Sequence, residues 1–280
     1  MDCLSEKSGN VFTVDVEEYF QVETFSDCIK KKDWERYPSR IEGQITRILE
    51  ILDAYTVRAT FFVLGWVAER HPDLVRGIKA KGHEIASHGH DHSMITKISP
   101  EEFRKDIRTS KEILEKVTNS PVRGYRAPTF SITEKTAWAY RILLEEGYQY
   151  SSSVYPIWHD RYGWPKFGVR ARKMASNGKE NLWEIPLSVV SIGSVNIPAG
   201  GGGYLRIYPV FLTKAFFRQI MKMGQIGMVY IHPWELDTGQ PAVQVPFLRH
   251  LRHYYGIGGM EGKIKELLGS FEFGRVRDIL

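Results

Sequence analysis

Cysteine is almost missing from this 280-residue chain: only Cys3 and Cys28 are present, too few for a disulfide framework and not in a metal-type spacing. That points to a reducing compartment. No stretch approaches the ~20 consecutive apolar residues of a membrane span, and residues 1–7 hold no apolar core of signal-peptide length. We therefore expect a soluble, cytoplasmic protein with no transmembrane segment. A linker rich in proline, glycine or serine is lacking, as is a repeat of fixed period, so residues 1–280 read as one domain. Charge is not concentrated either. The net charge is +5, but basic residues are scattered among acidic ones, and the short runs Lys30-Lys31-Lys32 and Arg170-Ala171-Arg172-Lys173 suit a solvated surface, not a nucleic-acid partner. What is plentiful is core material, 42% hydrophobic and 12% aromatic, enough for a large α/β domain.

Three of the nine histidines crowd into Ser87-His88-Gly89-His90-Asp91-His92. If the segment winds into a helical turn, His88 and His92 share one face and two ring nitrogens can share a cation, while His90 points elsewhere. Such a pair needs a carboxylate to complete it. One source is the start of the chain, where Val11-Phe12-Thr13-Val14 reads as a buried strand ending in Asp15-Val16-Glu17-Glu18. In extended geometry Asp15 and Glu17 project from the same side. An ordinary acidic loop is the other reading of that stretch.

Strand and helix then alternate about seven times. Ser39-Arg40-Ile41-Glu42 has the form of a capping box, followed by Ile41, Ile45, Ile48, Leu49 and Leu52 at helical spacing. Residues 59–64 form an apolar run, and a helix follows Pro72. Gly82-His83-Glu84-Ile85-Ala86 reads as a turn and a strand that delivers the histidines at its C-terminal end. Ser99-Pro100-Glu101-Glu102 opens a helix to about Val117. A strand from Pro121 ends at Arg126, which can hold a carboxylate with two parallel hydrogen bonds. We expect a helix over 133–146, a strand over 148–153, a loop over 154–181, a strand over 182–187, a helix over 212–223 and a strand over 228–231 ending at His232. Two helices after Val245 and a strand at Phe271-Glu272-Phe273 would close the fold. Reactive side chains placed just after strands are the pattern of a (β/α) barrel with its site on the C-terminal face.

In this order, Thr13-Val14-Asp15-Val16-Glu17, His88 with His92, Arg126-Ala127-Pro128 and His232 resemble the polysaccharide deacetylases with the NodB homology domain. The phrases Asp15 to Phe20, the glycine run before Tyr204-Leu205-Arg206, and His232-Pro233-Trp234-Glu235 resemble the branch associated with exopolysaccharide biosynthesis and exosortase clusters. The resemblance implies a distorted (β/α)7 barrel that removes N-acetyl groups from amino sugars with one divalent metal, here zinc, cobalt or nickel. It implies His88 and His92 as metal ligands, Arg126 as the tether of Asp15, and His232 as general acid. The family's first motif has two adjacent aspartates, a base and then a ligand. Here Val16 intervenes, which makes Asp15 the base and Glu17 the ligand, although the strand geometry also allows the reverse.

A second departure lies at Tyr150-Ser151-Ser152-Ser153, where the family carries an aspartate that orients the acid histidine. Ser151 supplies no charge, so either another carboxylate such as Glu184 or Asp237 substitutes, or activity is reduced. The expected substrate contacts are Pro128, Thr129, Phe130, Gly201, Tyr204 and Trp234. The glycine run at 200–203 could bring bare backbone close to a sugar or form a mobile turn, and Trp158, Trp164 and Trp234 could stack on sugars or pack. The competing functions are a cyclic-imide or ureide amidohydrolase on the same barrel, and a catalytically weakened carbohydrate-binding protein.

Overall fold

The structure, a computed structural model, describes residues 9–159 and 161–280. Cys3 and the rest of residues 1–7 lie outside the described residues, while Cys28 is an exposed free thiol.

The first strand, β1 (Asn10–Val16), is buried along its whole length. Its neighbours are β2 (Thr60–Val63), β3 (Glu84–Ser87), β4 (Gly124–Tyr125), β5 (Tyr150–Ser151), and, at the two ends of the row, β7 (Asn181–Glu184) and β10 (Gly227–Ile231). The order is β10-β1-β2-β3-β4-β5-β7, all parallel. This is the expected seven-stranded set. β6 (Arg172–Ser176) adds antiparallel to β7, and β11 (Phe273–Gly274) pairs with the start of β1. The ring is not closed by a ladder between β7 and β10. That gap is spanned by the hairpin β8 (Val189–Ile192) and β9 (Val195–Pro198), after which Gly201 bridges to Tyr230. At Gly200 and Gly201 an added Cβ would strike the Met228 and Tyr230 carbonyls, so these glycines serve close approach to β10.

Helices α1 (Ile41–Ala54), α2 (Gly65–Arg70), α3 (Pro72–Ala80), α4 (Pro100–Thr118) and α5 (Ala139–Glu145) connect the parallel strands, and α6 (Gly202–Ile207), α7 (Val210–Lys222), α8 (Phe247–Tyr254) and α9 (Met260–Leu268) follow. Ser99 caps α4 with Glu102 in the expected box. The box expected at Ser39 does not form. Ser39 bonds the Glu18 carboxylate, which itself accepts the Arg40 N–H at 3.2 Å and the Ile41 N–H at 3.4 Å, so a residue from the end of β1 caps α1. The helix expected over 133–146 shortens to α5 with a 3-10 turn before it, and β6, the β8–β9 hairpin and α6 were not expected.

Period-two alternation sorts β1 into two environments. Phe12, Val14 and Val16 pack outward with Phe61, Val63, Val229 and Ile231 against the helices. Val11 faces the barrel lumen with Phe62, Ala86, Tyr150, Met228 and Tyr230, and the same parity turns Thr13 and Asp15 inward. Tyr19, Phe20, Phe25 and Trp34 form a separate aromatic layer with Trp234 beside the strand ends.

Candidate active site

Five of the seven parallel strands hand one side chain to the site at the first residue past the ladder: Glu17 after Val16, His88 after Ser87, Arg126 after Tyr125, Ser152 after Ser151 and His232 after Ile231. The in-register pairing Val63 with Ser87, Ser87 with Tyr125 and Tyr125 with Ser151 brings these positions to one level. β1 ends in a tight turn, Glu17 N–H donating to the Asp15 carbonyl at 3.1 Å, so both carboxylates reach the same end of the lumen.

Glu17, His88 and His92 are buried, with one ligand-type atom from each lying within 4.8 Å of the others. His88 and His92 do not lie on a helical turn. Gly89 and His92 have φ of +78° and +56°, and the loop between them is held by Asp106 of α4, whose two oxygens accept the His90 N–H at 3.1 Å. The rings nevertheless meet, 5.4 Å between centroids. His88 Nδ1 lies 2.9 Å from the Arg126 carbonyl; donation there fixes the tautomer and leaves Nε2 facing Glu17. Glu17 Oε2 stands 2.6 Å from His92 Nε2, yet it is a buried oxygen without an aligned hydrogen bond. Burial pushes the Glu17 carboxyl up, but His92, His232 and His88 outweigh it and hold it at about 2. Burial pulls His88 down to about 4, keeping its lone pair available. Two imidazoles and one ionised carboxylate, buried within reach of one another, are a donor set that fits a divalent cation.

Asp15 stands outside that triad. Its Oδ1 takes the Arg126 guanidinium at 2.7 Å, in a pair with both partners buried. Arg126 also donates to Thr13 Oγ1 at 2.8 Å and to the Ser152 carbonyl at 3.1 Å, and lies 4.0 Å over the Phe62 ring. It makes one hydrogen bond to Asp15, not the two parallel ones expected, because its other nitrogens are spent on Ser152.

His232 closes the site from the far side, its Nε2 3.9 Å from Asp15 Oδ2 and 3.8 Å from Glu17 Oε1. The carboxylate that orients it is neither Glu184 nor Asp237. It is Glu235, whose Oε2 accepts the His232 backbone N–H at 3.0 Å and faces Nδ1 at 3.2 Å. Glu235 Oε1 meets buried Arg206 of α6 at 2.9 Å, and Arg206 in turn donates to the carbonyls of Arg252 and His253 in the last turn of α8. Burial lowers the His232 imidazolium, but Glu235, then Glu17 and Asp15, raise it to about 9. Glu184 instead accepts the Ser153 and Val154 N–H groups at 2.7 and 2.8 Å, and Asp237 pairs with Arg40. Ser151 Oγ lies 2.7 Å from Ser153 Oγ and is fully buried. Ser151→Asp would set an unpaired carboxylate beside buried Glu184. We expect no gain in turnover and a stability loss on the order of 3 kcal/mol, checked by kinetics and thermal melting.

Glu235, Arg206 and Asp106 escaped the sequence reading. For Glu235 the signal was present: His232-Pro233-Trp234-Glu235 repeats the cap, proline and glutamate pattern of Ser99 to Glu102, with histidine in the cap position.

The indole N–H of Trp234 donates to Glu17 Oε1 at 3.2 Å, while its faces are covered by His232 and His253 at 4.9 and 4.3 Å. It offers no free face to a sugar and acts as a brace. Gly201 is spent on β10, as above. Tyr204 is half-buried, edge-on to Tyr155. Pro128 and Phe130 are buried and Thr129 half-buried. Thr129 and Phe130 hold φ of +54° and +49°, a costly conformation for a β-branched residue that turns this segment back after Arg126. Trp158 is 83% exposed, and Trp164 packs on Phe167.

An open α/β barrel whose strand ends carry a two-histidine, one-carboxylate group beside an Arg-held aspartate and a Glu-held histidine defines the class of protein. Residues 24–150 match the polysaccharide deacetylase family, and residues 152–280 match a domain of unknown function, DUF3473. Over that first region the chain is similar to the polysaccharide deacetylases. Strands of both matched regions lie in one sheet. A peptidoglycan-N-acetylglucosamine deacetylase of Bacillus cereus is 32% identical over 126 residues, 45% of this chain and 56% of that protein. A chitooligosaccharide deacetylase of Rhizobium leguminosarum bv. trifolii is 40% identical over 68 residues, 24% of this chain and 32% of that one. The chain thus spans from a third to about half of the length of these relatives. A crystal structure of a Mycobacterium smegmatis protein assigned as a polysaccharide deacetylase superposes with a TM-score of 0.67 at 22% identity, covering 100% of this chain and 92% of that one. At that identity the likeness speaks for the fold.

Proposed function

We propose that the chain is a metal-dependent hydrolase that removes N-acetyl groups from an amino-sugar-containing polysaccharide or oligosaccharide. The observation that carries this reading is the approach of His232 Nε2 to both Asp15 and Glu17, a proton donor facing a proton acceptor beside one metal-type group. The named deacetylase relatives support it. Glu17, His88 and His92 would hold the cation, which we take to be zinc, with cobalt and nickel suiting the same donors. When bound, it supplies Lewis acidity that polarises the amide carbonyl and lowers the pKa of water.

The chain's own residues do the rest. Asp15 accepts the proton of the attacking water, and Arg126 aims its carboxylate. His232, kept charged by Glu235, hands a proton from Nε2 to the departing amine nitrogen, without which the tetrahedral adduct collapses back to the amide. Glu235 also weakens the case for a binding protein, which rested on the missing aspartate at Ser151. The test is incubation with a short N-acetylglucosamine oligomer, expecting equal amounts of acetate and new primary amine. Ring opening of a small cyclic imide without acetate release would favour the imide hydrolase instead.

For the metal, the double variant His88→Ala with His92→Ala is expected to drop from near one equivalent to none by elemental analysis after dialysis. Full metal content in that variant would place the centre elsewhere.

A further inference from the structure

Helix α8 is amphipathic the wrong way round for a globular protein. Its one buried side chain is His253, 2% exposed, while Phe247 is 75% and Leu248 74% exposed. Leu251, one turn on, is 44% exposed, and Tyr255, another turn on, 54%. At i, i+1 and i+4 Phe247, Leu248 and Leu251 lie on one side of the helix, and Tyr255 follows at its extended C-cap. Single exposed apolar residues are ordinary, but three on one eight-residue helix with a fourth at its C-cap mark a surface built to be covered.

The charge around it says by what. Arg252 on the same helix and Lys32 on the segment that packs beside it form no salt bridge among the described residues, while Lys30 of that segment donates to the Ser26 carbonyl at 2.9 Å. That segment is tied to α8 through Asp27 and Arg249, 2.6 Å apart, and through Cys28 Sγ and the Gln244 carbonyl, 3.7 Å apart. The nearby carboxylates are already spent: Asp27 on Arg249, Glu23 on Lys97 and Asp33 on Arg36. We propose that this face docks on an anionic lipid surface, the apolar side chains entering the interface and the unpaired cations meeting headgroups. Because His253 of α8 stacks on Trp234, docking would hold the site next to the membrane. This inference does not depend on the reaction proposed above.

The experiment is co-sedimentation of the full chain with phosphatidylcholine vesicles with and without about 30 mol% phosphatidylglycerol. Binding is expected to the anionic vesicles alone, weakened in about 0.5 M NaCl. Phe247→Ser with Leu248→Ser, both on the surface, is expected to cut it roughly tenfold while melting as wild type. No sedimentation with anionic vesicles, equal sedimentation with neutral ones, or undiminished binding of the double variant would overturn the proposal. So would a dimer that forms in the wild type, is lost in the variant and binds no lipid, since a second copy would then be the occupant.

Discussion

Replacing Asp15 by asparagine is expected to cut deacetylation by ~10²–10⁴-fold while leaving the metal near one equivalent, because an amide oxygen in the same place cannot take the proton of water. The asparagine side chain can still accept the Arg126 N–H that Asp15 accepts at 2.7 Å. The guanidinium, fully buried, nevertheless loses its counter-charge, so a stability loss on the order of 3 kcal/mol accompanies the variant. Turnover, metal content and melting temperature together separate the roles. A folded Asp15→Asn protein that has lost its metal would make Asp15 the ligand and Glu17 the base. Turnover within tenfold of wild type would remove Asp15 from the chemistry.

Glu235→Gln should move the alkaline limb of the pH–rate profile. His232 titrates at about 9, raised against burial first by its hydrogen bond to Glu235 and the charge of Glu235, and a general acid works only below its pKa. Activity in the wild type is therefore expected to persist through pH 8 and fall as pH rises through about 9. Without Glu235, burial acts with less opposition and the limb retreats towards the ordinary histidine value of 6.5. At pH 8 the variant should lose up to ~30-fold in kcat/KM and close most of that gap near pH 6. An alkaline limb that stays in place would show that Glu235 holds His232 only mechanically. The sign for stability is the same: with its folded pKa raised from 6.5 to about 9, His232 stabilises the protein fully below pH 6.5, and that contribution disappears as pH rises through about 9.

β1, β2 and β10 were legible because they are nearly continuous apolar runs, and the site was legible because a reactive residue follows most of the parallel strands. β6 was not, since Arg172–Ser176 is polar, half-buried and paired on one side with β7. The failure at α1 is of another kind. Ser39 and Glu42 have the right letters for a capping box, but Glu18 reaches the same N–H groups from the end of β1, a tertiary contact no local pattern encodes. Arg206 was invisible for the same reason: its partner Glu235 lies 29 positions away, roughly eight turns if the chain were helical, and only folding makes them neighbours. Glu235 itself could have been read, had a histidine been allowed at a cap.

The pairing of β1 also dictates when the protein can become whole. Its partner on one side is β10, which begins at Gly227, whereas β1 ends at Val16. At ribosomal rates of about 5–20 residues per second, that edge waits roughly 10–40 s for its mate. During this interval the nascent chain carries a bare, wholly apolar-flanked edge, open to pairing with any other extended strand. Translation halted anywhere before residue 227 would release an aggregation-prone fragment, not a smaller working protein, and expression of the intact chain should gain from whatever shields nascent strands at the tunnel exit.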